Sequence, residues 1–514
     1  MAVLKHSNWT YRLALWLPWG LYLLHSAFYA DWLIDYAGIS LTYARHLAEG
    51  EGLVPQPGSE PVEAYANPLW VLLHVPFFAL KVFHLYATPK ILAALAVLGA
   101  FVHLRYVLRT FHWVSPALVA LTLSLLALNP YWVAWVNCGL ENALYAWLII
   151  WQVRVMISFE RAGQAKAWQL FGAGLLAGAL VMTRPDGLLL AALPPLALIF
   201  WKQRFNLKID YLALWGLGWT LSSGAYFAIR RSIFHSGWPT AFVAQPPMSL
   251  GDLINLPKWH LLFQSVAGPL GGGLALLLLI LLLRRGLGFQ AEPRRVVWSL
   301  HLGVAMVIFL LMPPEPQSYR YATPFLLLMY PLLVLLGRHW VRSLPERYAH
   351  LRPAKVLVGV AVVGTTVLAL WQEGYHNRIQ PYDFHLVERE YVRPLAAVAA
   401  LSADHRPTVV LPTVGAALWE DAFEVQDYHG LLDTTLALAL ARGDTLAYRQ
   451  HLLHEVQPDF IVFPQGWHQA TGLDQDSVFR QQYLPSDWYP QSSPGGLPPV
   501  ETFYRRVHSF PSDF

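Results

Sequence analysis

The sequence predicts a polytopic α-helical membrane protein with a C-terminal α/β domain outside the bilayer, and three observations predict it. Of the 514 residues, 55% are hydrophobic and only 13% are charged, with a mean hydropathy of +0.38. An ordinary soluble chain carries about 25% charged residues, so most of this surface must face something other than water. The apolar residues come in blocks of about 17 to 21, the length a helix needs to cross a hydrocarbon core of about 30 Å. After Trp371 the blocks stop, and charged and apolar residues alternate with Pro, Asp and His.

Taken in order, the first apolar run is Tyr11 to Ala30. It holds Trp16, Pro18 and Trp19 and no small-residue cleavage site follows it, so a retained span is expected and not a signal peptide. Further runs lie near 67–84, 90–108, 113–130, 141–158, 168–183, 185–201, 210–229, 263–283, 296–312, 321–337 and 356–372. Basic residues concentrate at Arg154, Arg161 and Lys166; Lys202, Arg204 and Lys208; Arg284, Arg285, Arg294 and Arg295; and Arg338, Arg342, Arg347, Arg352 and Lys355. The positive-inside rule puts these in the cytoplasm, with 31–66, 131–141, 230–262, 313–320 and everything after 372 on the other side. Between the outer loops at 31–66 and 131–141 there are three runs where topology allows an even number of crossings. The 67–84 run, opening at Asn67-Pro68, is the expected exception, re-entrant or interfacial. About eleven transmembrane helices remain. The expected domains are therefore 1–372, membrane-spanning with its first outer loop at 31–66, and 373–514, a small α/β domain. In the latter, Thr408 to Leu411 and Phe460 to Phe463 read as short buried strands, while 386–402 and 433–453 have helical spacing.

Composition also excludes some chemistry. The single cysteine, Cys138, rules out an intramolecular disulfide and a Cys-based metal site, and packing is its expected role. The formal charge of +4 resides in short loops and forms no stripe, so no nucleic-acid partner is expected.

Four polar groups stand out near the predicted outer ends of spans. In the first loop, Ile39, Tyr43 and Leu47 share a helical stripe that Gly50 and Gly52 stop, which predicts a short amphipathic helix along the interface. Asp31 and Asp35 precede it. Each can serve as a capping aspartate at a helix N-terminus, or as a carboxylate at a cavity rim able to deprotonate a hydroxyl. The second group, Asn137-Cys138-Gly139-Leu140-Glu141, places an ionisable residue at the start of a span, either functional or snorkelling. In the third, Thr183-Arg184-Pro185-Asp186-Gly187, the Arg and Asp can pair with each other, or the guanidinium can bind phosphate oxygens bidentately. The fourth is Tyr319-Arg320-Tyr321, where Arg320 can meet a phosphate or anchor at head groups. Groups from distant parts of the chain thus converge on one side of the membrane, an arrangement that suits an enzyme with a lipid-phosphate donor.

These residues carry a resemblance. The run Ile34-Asp35-Tyr36-Ala37-Gly38-Ile39-Ser40, then Tyr43-Ala44-Arg45, Gly50, Gly52, Pro57-Gly58 and Val62-Glu63-Ala64-Tyr65-Ala66-Asn67-Pro68-Leu69-Trp70, is similar to the first outer loop of bacterial GT-C glycosyltransferases related to the mycobacterial terminal arabinofuranosyltransferases. Gly139-Leu140-Glu141, Thr183-Arg184-Pro185-Asp186-Gly187, Tyr319-Arg320 and Asp427-Tyr428-His429-Gly430-Leu431-Leu432-Asp433 resemble later elements of that family, in order. Two positions depart from it. Tyr36 stands where the family has a second Asp, and Asp186 where it has Glu.

The resemblance implies an inverting transferase that moves a sugar, a pentofuranose such as arabinofuranose, from a polyprenyl-monophosphate donor to a cell-envelope glycan or glycolipid. The work would take place on the extracytoplasmic side of a bacterial inner membrane. It implies Asp35 as catalytic base, with Arg184, Arg320, Arg45 and Tyr36 toward the donor phosphate. It further implies that Glu141, Glu63, Asp186, Tyr65, Asn67, Asp427 and His429 position substrate. No cofactor is required by it, although it leaves room for a divalent cation. In the outer domain Trp419, Trp467, Trp488 and Tyr428 could stack on sugars, core packing being the commoner fate of such rings. Two other classes fit many spans with outer polar residues. A lipid-linked sugar flippase or transporter would carry midplane charges or broken helices in repeated halves, and a diphosphate-lipid polymerase or ligase would place its chemistry in a large later loop.

Overall fold

The computed structural model describes residues 8–111, 114–162, 166–200, 209–235, 239–243, 258–259, 293–311, 318–342, 383–400, 406–464, 466–486 and 500–506. The expected spans at 263–283 and 356–372, the basic residues at 202–208, 284–285 and 347–355, and Trp488 lie outside the described residues. The chain divides into two compact units. The first is Met1–Ala30, Pro89–Phe227 and Met248–Tyr375; the second is Asp31–Thr88, Ala228–Pro247 and His376–Phe514.

The first unit is helical, with no strand among its described residues. Helices Asn8–Ser26, Ala87–Arg109, Asn142–Ala162, Ala167–Thr183, Ile209–Trp219, Pro293–Leu311 and Ser318–Arg342 fall on expected spans. Among the described residues, Ala87–Arg109 and Asn142–Phe159 are long and apolar enough to cross a membrane. At 1.5 Å per residue the first is about 34 Å long, enough for a hydrocarbon core of about 30 Å. Pro116–Leu128 and Pro130–Val136 make a further span if counted as one, bent by 68°. The bend has a cause in the sequence. Pro130 opens the second helix, where its missing N–H costs nothing, and the Asn129 side chain caps it by accepting the Trp132 N–H at 3.0 Å. The Asn129 amide also donates to the Tyr330 hydroxyl at 2.8 Å.

Small residues let these helices approach closely. A Cβ on Gly174 would lie 2.0 Å from the Trp215 carbonyl oxygen, and one on Gly218 would lie 2.2 Å from that of Phe171. Gly174 and Gly178 form the small-xxx-small spacing that packs helices in lipid, where apolar burial alone gives no drive to associate. Large apolar side chains point outward, among them Leu24 at 70% exposure, Trp168 at 69% and Ile91 at 59%. Such a surface would be a liability in water and is ordinary against acyl chains. This is a helical membrane protein.

The second unit is built on a five-stranded mixed sheet of β1 (Thr408–Leu411), β2 (Glu424–Asp427), β3 (Phe460–Pro464), β4 (Tyr483–Ser486) and β5 (Val500–Arg506), in the order β2-β1-β3-β5-β4. β1 runs parallel to both β2 and β3, and β5 is antiparallel to β3 and β4. β1 and β3 are the two strands the sequence predicts. Their near-continuous apolar character is that of strands covered on both faces. Alternate residues serve two cores. Val409, Leu411, Phe460 and Val462 face a cluster with Leu33, Ile39, Tyr43, Phe384 and Tyr391, while Val410, Ile461 and Phe463 face Leu436, Tyr448, Leu452 and Phe479.

One face of the sheet is thus covered by the stretch expected to be the first outer loop. The helix predicted there exists, as Asp35–Glu49, and Gly50 closes it with φ +90° as the sequence implies. It does not lie amphipathically along an interface. Asp35, Ala37 to Ala44 and His46 are buried, because the helix packs against Gly415–Glu420 through two glycines. A Cβ on Gly38 would come within 2.5 Å of the Gly415 carbonyl oxygen, and one on Gly415 within 1.7 Å of that of Asp35. The run at 67–84 forms only Pro68–Ala79, 12 residues. At about 18 Å that helix is shorter than a hydrocarbon core of about 30 Å.

Candidate functional site

In the first unit, three of the four polar groups come together. The Arg184 guanidinium grips Asp186 with two parallel bonds, Nε to Oδ1 at 2.9 Å and Nη2 to Oδ2 at 3.0 Å. Its remaining edge reaches Asn142 Oδ1 at 3.5 Å. The Tyr145 hydroxyl donates to Asp186 Oδ2 at 3.2 Å. Arg320, from 136 residues further along, donates through Nη2 to Glu141 Oε1 at 2.5 Å. The two guanidiniums share one aromatic neighbour, with Arg184 Cζ 4.7 Å and Arg320 Cζ 5.9 Å from the Tyr321 ring centroid. Arg184, Asp186 and Glu141 are almost wholly buried, and Arg320 keeps 17% of its side chain accessible. Arg320 Nε is buried without a hydrogen-bond acceptor among the described residues.

Two guanidiniums taken out of water are costly unless paired and bonded. Here each has a carboxylate partner, leaving donor capacity on both. Lys90 is a further cation of the unit: its ammonium donates to the carbonyls of Tyr29 and Asn137. The sequence reading missed Lys90. The signal available was a lone lysine at the predicted outer end of a 23-residue apolar helix, against the positive-inside pattern. Cys138 is buried as expected.

Asp35 belongs to the second unit and is fully buried. It does not cap its own helix. Its carboxylate instead accepts the Thr413 hydroxyl, the Gly415 N–H at 2.7 Å and the Ala416 N–H at 2.7 Å. Burial raises its pKa from the ordinary 3.8 to about 6, against the lowering effect of those three bonds and with a small further rise from the Asp383 charge. A carboxylate offers about four lone-pair sites, so three bonds leave room for one more donor.

The other first-loop residues are held as follows. Arg45 donates to the Trp419 carbonyl at 3.0 Å and stacks 4.7 Å over its ring. Glu63 and Arg230 form a buried ion pair, Nε to Oε2 at 2.6 Å. Asn67 accepts the Ser40 hydroxyl at 2.9 Å. Tyr65 meets Tyr43 edge-on at 4.8 Å, and Tyr36 packs at the margin of the same core. Asp427 sits at the end of β2, where its oxygens accept the His429 and Leu432 N–H groups, each at 3.0 Å. Burial raises its pKa to about 7. The same cause lowers that of the His429 imidazole to about 4.

The residues that follow the parallel strands line one edge of the sheet. After β1 come Thr413 and Gly415, which hold Asp35. After β2 come Tyr428 and His429, and after β3 comes Trp467. In open α/β sheets ligands bind in the crevice outside the carboxyl ends of the parallel strands. The candidate base and the family-like Asp427 segment therefore share the edge where such a site is expected. Among the described residues no three His, Cys, Asp or Glu side chains come close enough to hold a metal. Asp35 is one carboxylate already holding three donors.

These arrangements are carried on a fold shared with a solved protein. ArnT from Cupriavidus metallidurans, solved bound to undecaprenyl phosphate, is similar over 96% of this chain and 98% of its own, at 14% identity and a TM-score of 0.56. The arabinofuranosyltransferase AftD from mycobacteria is similar over 100% of this chain and 40% of its own, at 15% identity and a TM-score of 0.47. The first likeness shows a shared fold, and the second is too loose to add to it. No family model matches the chain, and no curated protein does.

Proposed function

We propose that the protein is an inverting glycosyltransferase that moves a sugar from a polyprenyl-monophosphate donor to a cell-envelope glycan or glycolipid on the extracytoplasmic side of a bacterial inner membrane. The observation that carries this reading is the buried Arg184–Asp186 and Arg320–Glu141 cluster within a GT-C-type fold. ArnT, with the same fold, was solved with a lipid monophosphate bound, which supports a donor of that class here. The first-loop resemblance favours a pentofuranose, arabinofuranose in particular.

The chemistry follows from the residues. The acceptor hydroxyl oxygen attacks the anomeric carbon from the face opposite the lipid phosphate, the carbon–oxygen bond to phosphate breaks, and polyprenyl phosphate leaves. Asp35 takes the hydroxyl proton. Its carboxyl, raised to about 6, is poised for a base working near neutral pH. Arg184 and Arg320 meet the charge on the departing phosphate, while Glu141 and Asp186 hold the guanidiniums and orient sugar hydroxyls. Arg45, Tyr36, Glu63, Tyr65 and Asn67 shape the first loop around donor and acceptor, and Asp427 and His429 serve the acceptor.

The test is incubation of the purified protein with polyprenyl-phosphate-linked pentofuranose and an acceptor glycan, reading lipid products by mass spectrometry. Release of polyprenyl phosphate with a glycosylated product is expected. Release only from diphosphate-linked donors would identify a polymerase or ligase instead. Movement of intact donor across vesicles without release would identify a transporter.

A further inference from the structure

The sequence offers four aromatic residues of the outer domain as sugar-stacking candidates, and the structure sorts them. Trp419 is committed to Arg45 and to the Phe78 and Phe83 rings. Trp488 is outside the described residues. Tyr428 and Trp467 come together, and they gather His429 with them.

We infer that Tyr428, His429 and Trp467 form a carbohydrate subsite for the acceptor at the carboxyl edge of the parallel strands; this rests on the transferase reading above. Three observations carry it. First, the rings come from the ends of β2 and β3, which are not neighbours. β1 separates them, so the strands lie about 10 Å apart. The rings close that gap, with centroids 4.6 Å apart for Tyr428 and Trp467, 5.0 Å for His429 and Trp467, and 4.0 Å for Tyr428 and His429. Second, the cluster is preorganised and keeps part of its surface open. The Trp467 indole N–H donates to the Tyr448 hydroxyl at 3.3 Å, which itself donates to the Tyr428 carbonyl at 2.9 Å. These bonds hold the indole in place while all three rings remain partly open. Third, among the described residues nothing hydrogen-bonds to the His429 ring nitrogens. A neutral imidazole carries one donor and one acceptor, the pair that adjacent sugar hydroxyls match.

A core-packing cluster accounts for these features less well. Packing alone leaves the ring nitrogens of a mostly buried imidazole without a partner among the described residues. A sugar uses both parts of this surface, its C–H face against the rings and its hydroxyls toward the imidazole. The edge also carries Thr413 and Gly415, the residues that hold Asp35. An acceptor sugar held at the rings is therefore presented along the sheet edge that fixes the proposed base.

The test uses the full chain in detergent micelles and saturation-transfer NMR with a panel of neutral oligosaccharides: an arabinofuranoside, a galactofuranoside and maltose. At least one furanoside is expected to receive saturation on its ring C–H protons. Trp467→Leu and His429→Ala should each weaken that binding by about tenfold or more, the usual cost of truncating a central anchor. Trp467→Phe, which keeps a ring, should stay within about threefold of wild type. Acceptor-free release of polyprenyl phosphate to water is read in parallel. It is read on the wild type, and a thermal unfolding midpoint in detergent within the wild-type range shows that each variant is folded. Absence of saturation for every sugar, or equal binding in Trp467→Leu, overturns the subsite while leaving a releasing enzyme intact. Sugar binding by a protein that never releases polyprenyl phosphate overturns the transferase reading and keeps the subsite.

Discussion

At the scale of single residues, Asp35 shows what a carboxylate gains and loses by burial. Its pKa is raised, so between about pH 4 and about pH 6 the unfolded chain binds fewer protons than the folded one, and stability falls as pH rises through that window. Asp427, raised to about 7, extends the fall toward neutrality. Chemical unfolding of the second unit followed from pH 4 to 7.5 should show this decline, the reverse of ordinary acid denaturation. Catalysis should run the other way, with turnover rising through about pH 6 as Asp35 ionises. The Thr413 hydroxyl lowers the Asp35 pKa, so Thr413→Val should move that limb to higher pH, and Thr413→Ser should restore it. Asp35→Asn should cut turnover by about 10²–10⁴-fold, measured with saturating donor. The motif made Asp35 visible in the sequence. Its partners were not, because they come from residues 378 to 381 positions away. Arg184 and Asp186 could be paired from the sequence because they are two residues apart. Arg320 with Glu141 and Arg230 with Glu63 could not, since only tertiary folding makes them neighbours.

At the scale of elements, glycine sets the closest approaches. Gly415→Ala places a Cβ 1.7 Å from the Asp35 carbonyl oxygen, a backbone atom unable to step aside. The variant should lose the packing of Asp35–Glu49 against Gly415–Glu420, and hydrogen exchange at both segments should rise to the level of exposed loops. Apolar period and length made the spans legible, as well as β1 and β3, whose side chains are all apolar but for Thr408. β2 was not legible, because its Glu424-Val-Gln-Asp sequence is an edge strand with three of its four residues polar. The Asp35–Glu49 helix was found but assigned to an interface. Its stripe of Ile39, Tyr43 and Leu47 announces one buried face, whereas packing against the sheet and the glycine contact bury the others as well. Nothing local encodes that.

At the scale of the molecule, charge is kept where the fold can satisfy it. Breaking a buried ion pair leaves one member uncompensated, so Arg184→Ala should destabilise the first unit by about 3–5 kcal/mol. The double variant Arg184→Met with Asp186→Leu should recover much of that loss. Thermal unfolding in detergent checks both, and a large coupling between the two sites is the expected outcome. The most direct measurement of the central claim is the affinity of the purified protein for undecaprenyl monophosphate, by native mass spectrometry, in wild type and in a folded Arg320→Ala variant. If Arg184 and Arg320 form the lipid-phosphate site, wild type binds and Arg320→Ala binds at least about tenfold more weakly. Equal affinity in the two proteins, or no binding by wild type, contradicts the account.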